Sequence, residues 1–164
     1  MRAGEAARVI YEEQQIPRDL LAYVIAEPVQ GEGGYLIGQP RFINGLVDFA
    51  HHYNALYISD EVQTGLGRTG RFWAIEHFGV RPDVIVAAKA LRVGAVVSTK
   101  EIFPQTPGVI SSTWAGGAVA AAAAVTTLEV IESEDLIGNA GAMGGEALAM
   151  LAALAGRQAA VSNV

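Results

Sequence analysis

Two side chains in this sequence stand where covalent carbonyl chemistry could take place. Lys89 comes just past the run Val84-Ile85-Val86-Ala87, and Asp60 just past Leu56-Tyr57-Ile58-Ser59. A lysine amine that has lost its proton condenses with an aldehyde or ketone, and a carboxylate can hold a proton on a basic ring nitrogen. Taken singly, neither residue is diagnostic. A lysine beyond an apolar run commonly snorkels to solvent, and an aspartate in such a place commonly caps a helix or closes a turn.

The elements around them make the pair informative. Both follow short apolar runs rich in β-branched residues, the pattern of buried parallel strands. The spacing predicts a helix over residues 5–15 (Ala7, Ile10 or Tyr11, Gln14) ended by Ile16-Pro17, then a buried strand from Leu20 to Ala26 that finishes at Glu27. Gly31-Glu32-Gly33-Gly34 reads as a loop where backbone can approach a ligand, although a plain turn explains it as well. A helix from Pro40 to Tyr53, with Phe42, Leu46, Phe49 and Tyr53 on one face, joins that strand to a second at 56–59 and completes a β-α-β unit. Glu27 and Asp60 then share one rim of the sheet. A glycine-rich loop at 64–71, a short helix at 72–78 and a strand at 84–87 follow, and Lys89 emerges at the same rim. A strand from Ala95 to Ser98 precedes two helices. The first, Ala118 to Glu132, is expected to pack Val125, Leu128 and Ile131, and the second, Leu136 to about Gly156, is expected to pack Met143, Leu148 and Leu151. In an open α/β sheet ligands bind beyond the carboxyl ends of the strands, so the amine and the carboxylate can converge on one pocket. Pyridoxal phosphate suits such a pair, having an aldehyde for a lysine and a ring nitrogen for an acidic partner.

Composition narrows the alternatives. With 164 residues, 51% hydrophobic and 17% charged, the chain has the make-up of a globular protein with one core. A net charge of -6 argues against a nucleic-acid partner or an anionic membrane surface. The absence of cysteine removes disulfides and thiolate metal sites and fits a reducing compartment. No apolar leader follows Met1, and the alanine-rich stretch at 117–125 is too short to span a bilayer, so a cytoplasmic location is the expectation. His51, His52 and His77 do not repeat at ligand spacing with acidic partners, and no metal site is expected; surface or helix-end roles fit them better. Glu129, Glu132, Glu134 and Asp135 read as a solvated helix end, and Arg68 and Arg71 as loop cations that could meet a phosphate or carboxylate but more simply form salt bridges.

The run Asp60-Glu61-Val62-Gln63-Thr64-Gly65-Leu66-Gly67-Arg68-Thr69-Gly70, preceded by Glu27-Pro28-Val29-Gln30-Gly31-Glu32-Gly33-Gly34 and followed by Lys89, resembles the class III (ω-) aminotransferases. These include the 4-aminobutyrate, ornithine and acetylornithine aminotransferases and have fold type I among pyridoxal-phosphate enzymes. The likeness extends from about Tyr11 to about Gly145. It implies an α/β fold type I large domain, with a mostly parallel sheet flanked by helices, in residues 1–132. Residues 133–164 would be a helical segment leading toward a small carboxyl-terminal domain that lies outside the sequence. It further implies pyridoxal 5'-phosphate as cofactor, with Lys89 as its Schiff-base residue and proton shuttle and Asp60 on its ring nitrogen. Val62 would pack on the ring, Gln63 would bond the ring hydroxyl oxygen, and Thr113 would reach the phosphate of a neighbouring subunit. Glu32 resembles a glutamate that pairs with an active-site arginine and swings aside for a substrate carboxylate, and Glu27 sits near the cofactor by the same likeness.

The activity so implied is transfer of an amino group from an amino acid or ω-amine, such as 4-aminobutyrate or ornithine, to a 2-oxo acid by a ping-pong mechanism in a homodimer. An amino-acid racemase of the same family and a non-catalytic truncated chain are the alternatives. The sequence departs from the family pattern after Lys89. A run of glycines and an apolar-Pro-apolar stretch normally lead into Gly-Ala-Val, whereas Leu91-Arg92-Val93-Gly94-Ala95-Val96 is shorter by several residues. Residues left out of the sequence, rather than a true deletion, are the expectation there. By the same likeness, the amino-terminal part that in the family supplies a phosphate-binding turn and an aromatic ring against the cofactor is expected to lie outside the sequence.

Overall fold

The computed structural model describes residues 8, 9, 11–110, 113–161 and 164. Strands β1 (Tyr23–Ala26), β2 (Leu56–Asp60), β3 (Val84–Ala87) and β4 (Ala95–Ser98) form one sheet in the order β1-β2-β3-β4. The first three run parallel, with Tyr23 opposite Leu56 and Ile58 opposite Val84. β4 returns antiparallel, placing Ala95 opposite Ala87. With helices α1 (Pro40–His52), α2 (Ala118–Ser133) and α3 (Leu136–Ala155), the class is α/β as expected.

Parallel neighbours need a crossover, and α1 supplies it between β1 and β2. Proline at its first turn lacks the amide that would go unbonded there in any case, and the turn after its last residue puts Asn54 at φ 55. Ile43 and Ala50 on the inward face are fully buried against Ala55, Tyr57 and Ile75. A side chain such as Ile43 contributes roughly 1.5–3 kcal/mol on leaving water. An aromatic group of Tyr11, Phe49 and Tyr53 extends this core, with the Tyr11 and Tyr53 ring centroids 4.7 Å apart. Asp83, in the turn before β3, fixes the strand's entry by accepting the Tyr57 amide at 2.7 Å and meeting His51 Nε2 at 2.9 Å.

Several expectations need correction. β1 begins at Tyr23, not Leu20, because the chain after Pro17 winds into a 3-10 helix, Arg18–Leu20, closed by the Leu20 amide on the Pro17 carbonyl at 3.0 Å. Nor is β1 fully buried: Val24 packs toward α1 while Tyr23 and Ile25 face out, 54% and 49% exposed. Residues 8, 9 and 11–13 are helical, but Gln15 at φ 51 has already left the helix; the remainder of that expectation, with Ala7 and Ile10, lies outside the described residues. Phe42 is exposed, since Ile43 rather than Phe42 occupies the inward position of the first α1 turn. The expected helix at 72–78 is a 3-10 helix, Ala74–Phe78.

In α2, Ile131 is buried but Val125 is 55% exposed and Leu128 is at the exposed margin; in α3, Met143, Leu148 and Leu151 are all open to solvent. Periodicity marks a face as apolar without saying what covers it, and no described residue covers these. Asp135 is not simply solvated: it caps α3, its carboxylate accepting the Gly138 amide. By length and composition alone α3 could cross a bilayer. Among the described residues it packs on α2 and touches the loop after β2 through Ile137 and Gly141.

Candidate active site

The strand parity that buries Tyr57 and Ser59 carries one step further and buries Glu61, only 1% exposed, immediately beyond β2. Its carboxylate accepts the Thr64 hydroxyl at 2.6 Å, the Ile75 amide at 2.8 Å, the Ala74 amide at 3.0 Å and the Ser59 hydroxyl at 3.3 Å. The two amides open the 3-10 helix, where unbonded N–H groups and the peptide dipoles favour an anion. One carboxylate thus fastens both ends of the loop 62–73. Nothing in the expectations singled Glu61 out, although its parity with Tyr57 and Ser59 is a signal the sequence contains. Its charge, after burial, is the second cause that pushes the Tyr57 hydroxyl up to about 12.

β2 and β3 remain joined past their ends: the Glu61 amide donates to the Val86 carbonyl at 2.8 Å and the Lys89 amide to the Val62 carbonyl at 3.2 Å. Asp60 and Lys89 therefore leave neighbouring strands at one edge of the sheet. Asp60 Oδ1 accepts the Val62 amide at 3.0 Å, a local turn bond that leaves the second oxygen available. The other lysine of the chain, Lys100, follows β4, whose antiparallel course carries it to the opposite edge.

A cavity of about 390 Å³ opens at the Lys89 edge, lined among others by Lys89, Gln63, Thr64, Arg68, Thr69 and Gly31. That is within the size range of small-molecule sites. Gly31 leaves room for the Gln63 amide as it is placed: a Cβ there would run into that amide, the far end of a flexible side chain. The turn that carries Gly31 is held by its own amide, which donates to Glu27 Oε2 at 2.9 Å. Asp60 and Glu27 line an adjoining cavity of about 320 Å³, and Gln30 borders both.

The structure thus brings Lys89 and Gln63 to one cavity and Asp60 and Glu27 to its neighbour. Val62 is half-buried between them in sequence and lines neither, while Glu32 is exposed on the rim of the glycine turn and Thr113 is exposed in the turn ahead of α2. Ser111 and Ser112 lie outside the described residues. After Lys89, residues 89–92 form a tight turn with Arg92 at φ 66, and Leu91 is buried against Leu66 and Ile131. Arg68 and Arg71 form no salt bridge among the described residues.

The donors fit pyridoxal phosphate. An amine lies on the wall of a cavity of small-molecule size, a carboxylate with one oxygen unengaged among the described residues ends the adjoining strand, and a glycine leaves the space an amide occupies.

Comparison with known proteins agrees with this geometry. The family described as Aminotransferase class-III matches residues 3–164. A 4-aminobutyrate aminotransferase of Mycobacterium leprae is 42% identical over 134 residues, 78% of this chain and 30% of that protein. A probable 4-aminobutyrate aminotransferase of Bacillus subtilis is 40% identical over 123 residues, 72% of this chain and 28% of that protein. Among solved structures, a lysine aminotransferase from M. tuberculosis superposes with a TM-score of 0.84 at 35% identity, over 94% of this chain and 36% of that one. Plasmodium falciparum ornithine delta-aminotransferase gives 0.76 at 37% identity, over 88% and 38%. The chain spans less than a third of the length of these curated relatives. By its matched length and these likenesses, the chain belongs to the class III aminotransferases, a pyridoxal-phosphate-dependent family.

Proposed function

We propose that the protein transfers an amino group from an amino acid or ω-amine, such as 4-aminobutyrate or ornithine, to a 2-oxo acid by a ping-pong mechanism, with pyridoxal 5'-phosphate as cofactor. The observation that carries this reading is the placement of Lys89 on the wall of a cavity beside the strand that ends in Asp60. When bound, the cofactor supplies a carbonyl for the lysine and an electron-withdrawing ring.

This chain's residues then have distinct tasks. Lys89 Nζ would bond the cofactor, and once released by the incoming amine would carry a proton to and from the substrate α-carbon. Asp60, through the oxygen not engaged by the Val62 amide, would keep a proton on the ring nitrogen. Gln63 would bond the ring hydroxyl oxygen, and Val62 would supply an apolar contact to the ring. Glu61 fixes the loop that holds Gln63, and Gly31 leaves room for its amide. Glu32 would respond to a substrate carboxylate, Glu27 supports the glycine turn, and Thr113 would serve a phosphate across a subunit boundary. Apolar side chains left open on α2 and α3, such as Val119 and Met150, support burial against further protein, as a homodimer needs. A cytoplasmic location belongs to the same proposal.

Incubation of the whole protein with a panel of amines, and 2-oxoglutarate as acceptor, tests it. Glutamate formation is expected. Interconversion of one amino-acid enantiomer without any oxo acid would instead make the protein a racemase, and no turnover with any donor would overturn the catalytic reading.

A further inference from the structure

The wall of the Lys89 cavity carries one aromatic ring among the described residues, that of Tyr35. The side chain is 73% exposed and belongs to none of the apolar clusters of the core, so packing of the fold does not explain it. Leu36 and Ile37 follow it and are also open to solvent. Apart from Val29 and Gly31, the rest of that wall is polar.

The backbone under Tyr35 is strained and firmly held. Its φ of 56 lies in the left-handed region, where a bulky residue is an outlier that persists only when the surroundings enforce it. The Gly31 carbonyl accepts both the Gly34 amide at 3.1 Å and the Tyr35 amide at 3.2 Å. Two more bonds close the neck of the loop, from the Gln30 amide to the Leu36 carbonyl and from the Gly38 amide to the Pro28 carbonyl, each at 2.9 Å. Between them Val29 and Ile37 form an antiparallel bridge. Glycine would take the same φ without strain, so what a tyrosine adds at this position is its ring.

We propose that Tyr35 is a specificity-determining residue whose ring packs on the hydrocarbon part of the amino donor, so that the site prefers primary amines with an extended apolar chain over short ones. This names the substrate class for the aminotransferase reading and rests on that reading for the amine, which reacts at Lys89. A ring covers one side of a chain, so each added methylene should gain about twofold in affinity, against roughly fourfold for full burial.

Calorimetry on the whole, cofactor-loaded protein tests it, with propylamine, pentylamine and heptylamine as probes. Their basicities are nearly equal, so chain length is the variable. Wild type, Tyr35→Phe and Tyr35→Gly are compared, since glycine keeps the turn and removes the ring. In wild type and Tyr35→Phe, affinity should rise about 16-fold from propylamine to heptylamine. In Tyr35→Gly the three amines should bind within about threefold of one another, with propylamine affinity and melting temperature close to wild type. A gradient retained in Tyr35→Gly, lost in Tyr35→Phe or absent from wild type overturns the proposal. A lowered melting temperature of Tyr35→Gly with its gradient unchanged would place the ring against further protein and overturns it likewise. Absence of amino transfer by wild type would refute the proposed function, while the gradient still decides the role of Tyr35.

Discussion

Replacing Glu61 by alanine removes the acceptor for two backbone amides and two hydroxyls at once. The Thr64 and Ser59 hydroxyls can rotate toward other acceptors, but the Ala74 and Ile75 amides are fixed by the 3-10 helix they open. A buried donor left unbonded costs about 1–3 kcal/mol, so the two amides with part of the hydroxyl contribution give about 3–5 kcal/mol for Glu61→Ala. Glu61→Gln keeps the shape and one acceptor oxygen but turns an NH₂ group toward a donor, which should cost about 1–3 kcal/mol. Urea denaturation of the whole protein should rank the variants wild type, Gln, Ala, and limited proteolysis should open the loop 62–73 in the same order. A second readout is independent of stability. Without the Glu61 charge the Tyr57 hydroxyl should titrate below its present value of about 12 yet stay above 10.0, because burial is the larger cause. Glu61→Ala within about 1 kcal/mol of wild type, or a Tyr57 titration unmoved by Glu61→Gln, would refute the clamp.

The other predictions concern the same neighbourhood. The buried Tyr57 hydroxyl has no hydrogen-bond partner among the described residues, so Tyr57→Phe should leave stability at neutral pH within about 1 kcal/mol of wild type or raise it, as measured by denaturant midpoint. Tyr57 favours its neutral form in the folded state, so its contribution is complete below pH 10 and is lost as pH rises toward about 12. The phenylalanine variant should lack this component, roughly 2–3 kcal/mol, in a pH series of unfolding curves. Gly31→Ala should displace Gln63, weakening pyridoxal phosphate binding about tenfold, or about 1.4 kcal/mol, with a much smaller change in stability. Fluorescence titration of the cofactor would check it.

Much of this was legible in the chain because strands signal through period and neighbours. β2, β3 and β4 lie where the β-branched runs place them, and the rim shared by Asp60 and Lys89 follows from parallel pairing of the runs that precede them. The apolar run extends the expected β1 back to Leu20, whereas Pro17 and the three residues after it satisfy their backbone locally in a 3-10 helix. The apolar stripes of α2 and α3 predict a core, but a stripe records an appetite for burial and not its partner. Lys89 and Gln63 reach one cavity because their loops lie side by side past paired strands, which periodicity suggests. The clamp at Glu61 depends on a loop folding back through Leu66 and Gly67, and local spacing does not encode that path.

The central claim is that Lys89 is the residue that bonds the cofactor. Borohydride reduction of the whole protein loaded with pyridoxal phosphate, followed by peptide mapping, tests it directly, since Lys100 at the opposite edge of the sheet serves as an internal control. The account predicts a stable pyridoxyl group on Lys89 and none on Lys100, abolished in Lys89→Ala. A pyridoxyl group on any other lysine, or its persistence in Lys89→Ala, would contradict it.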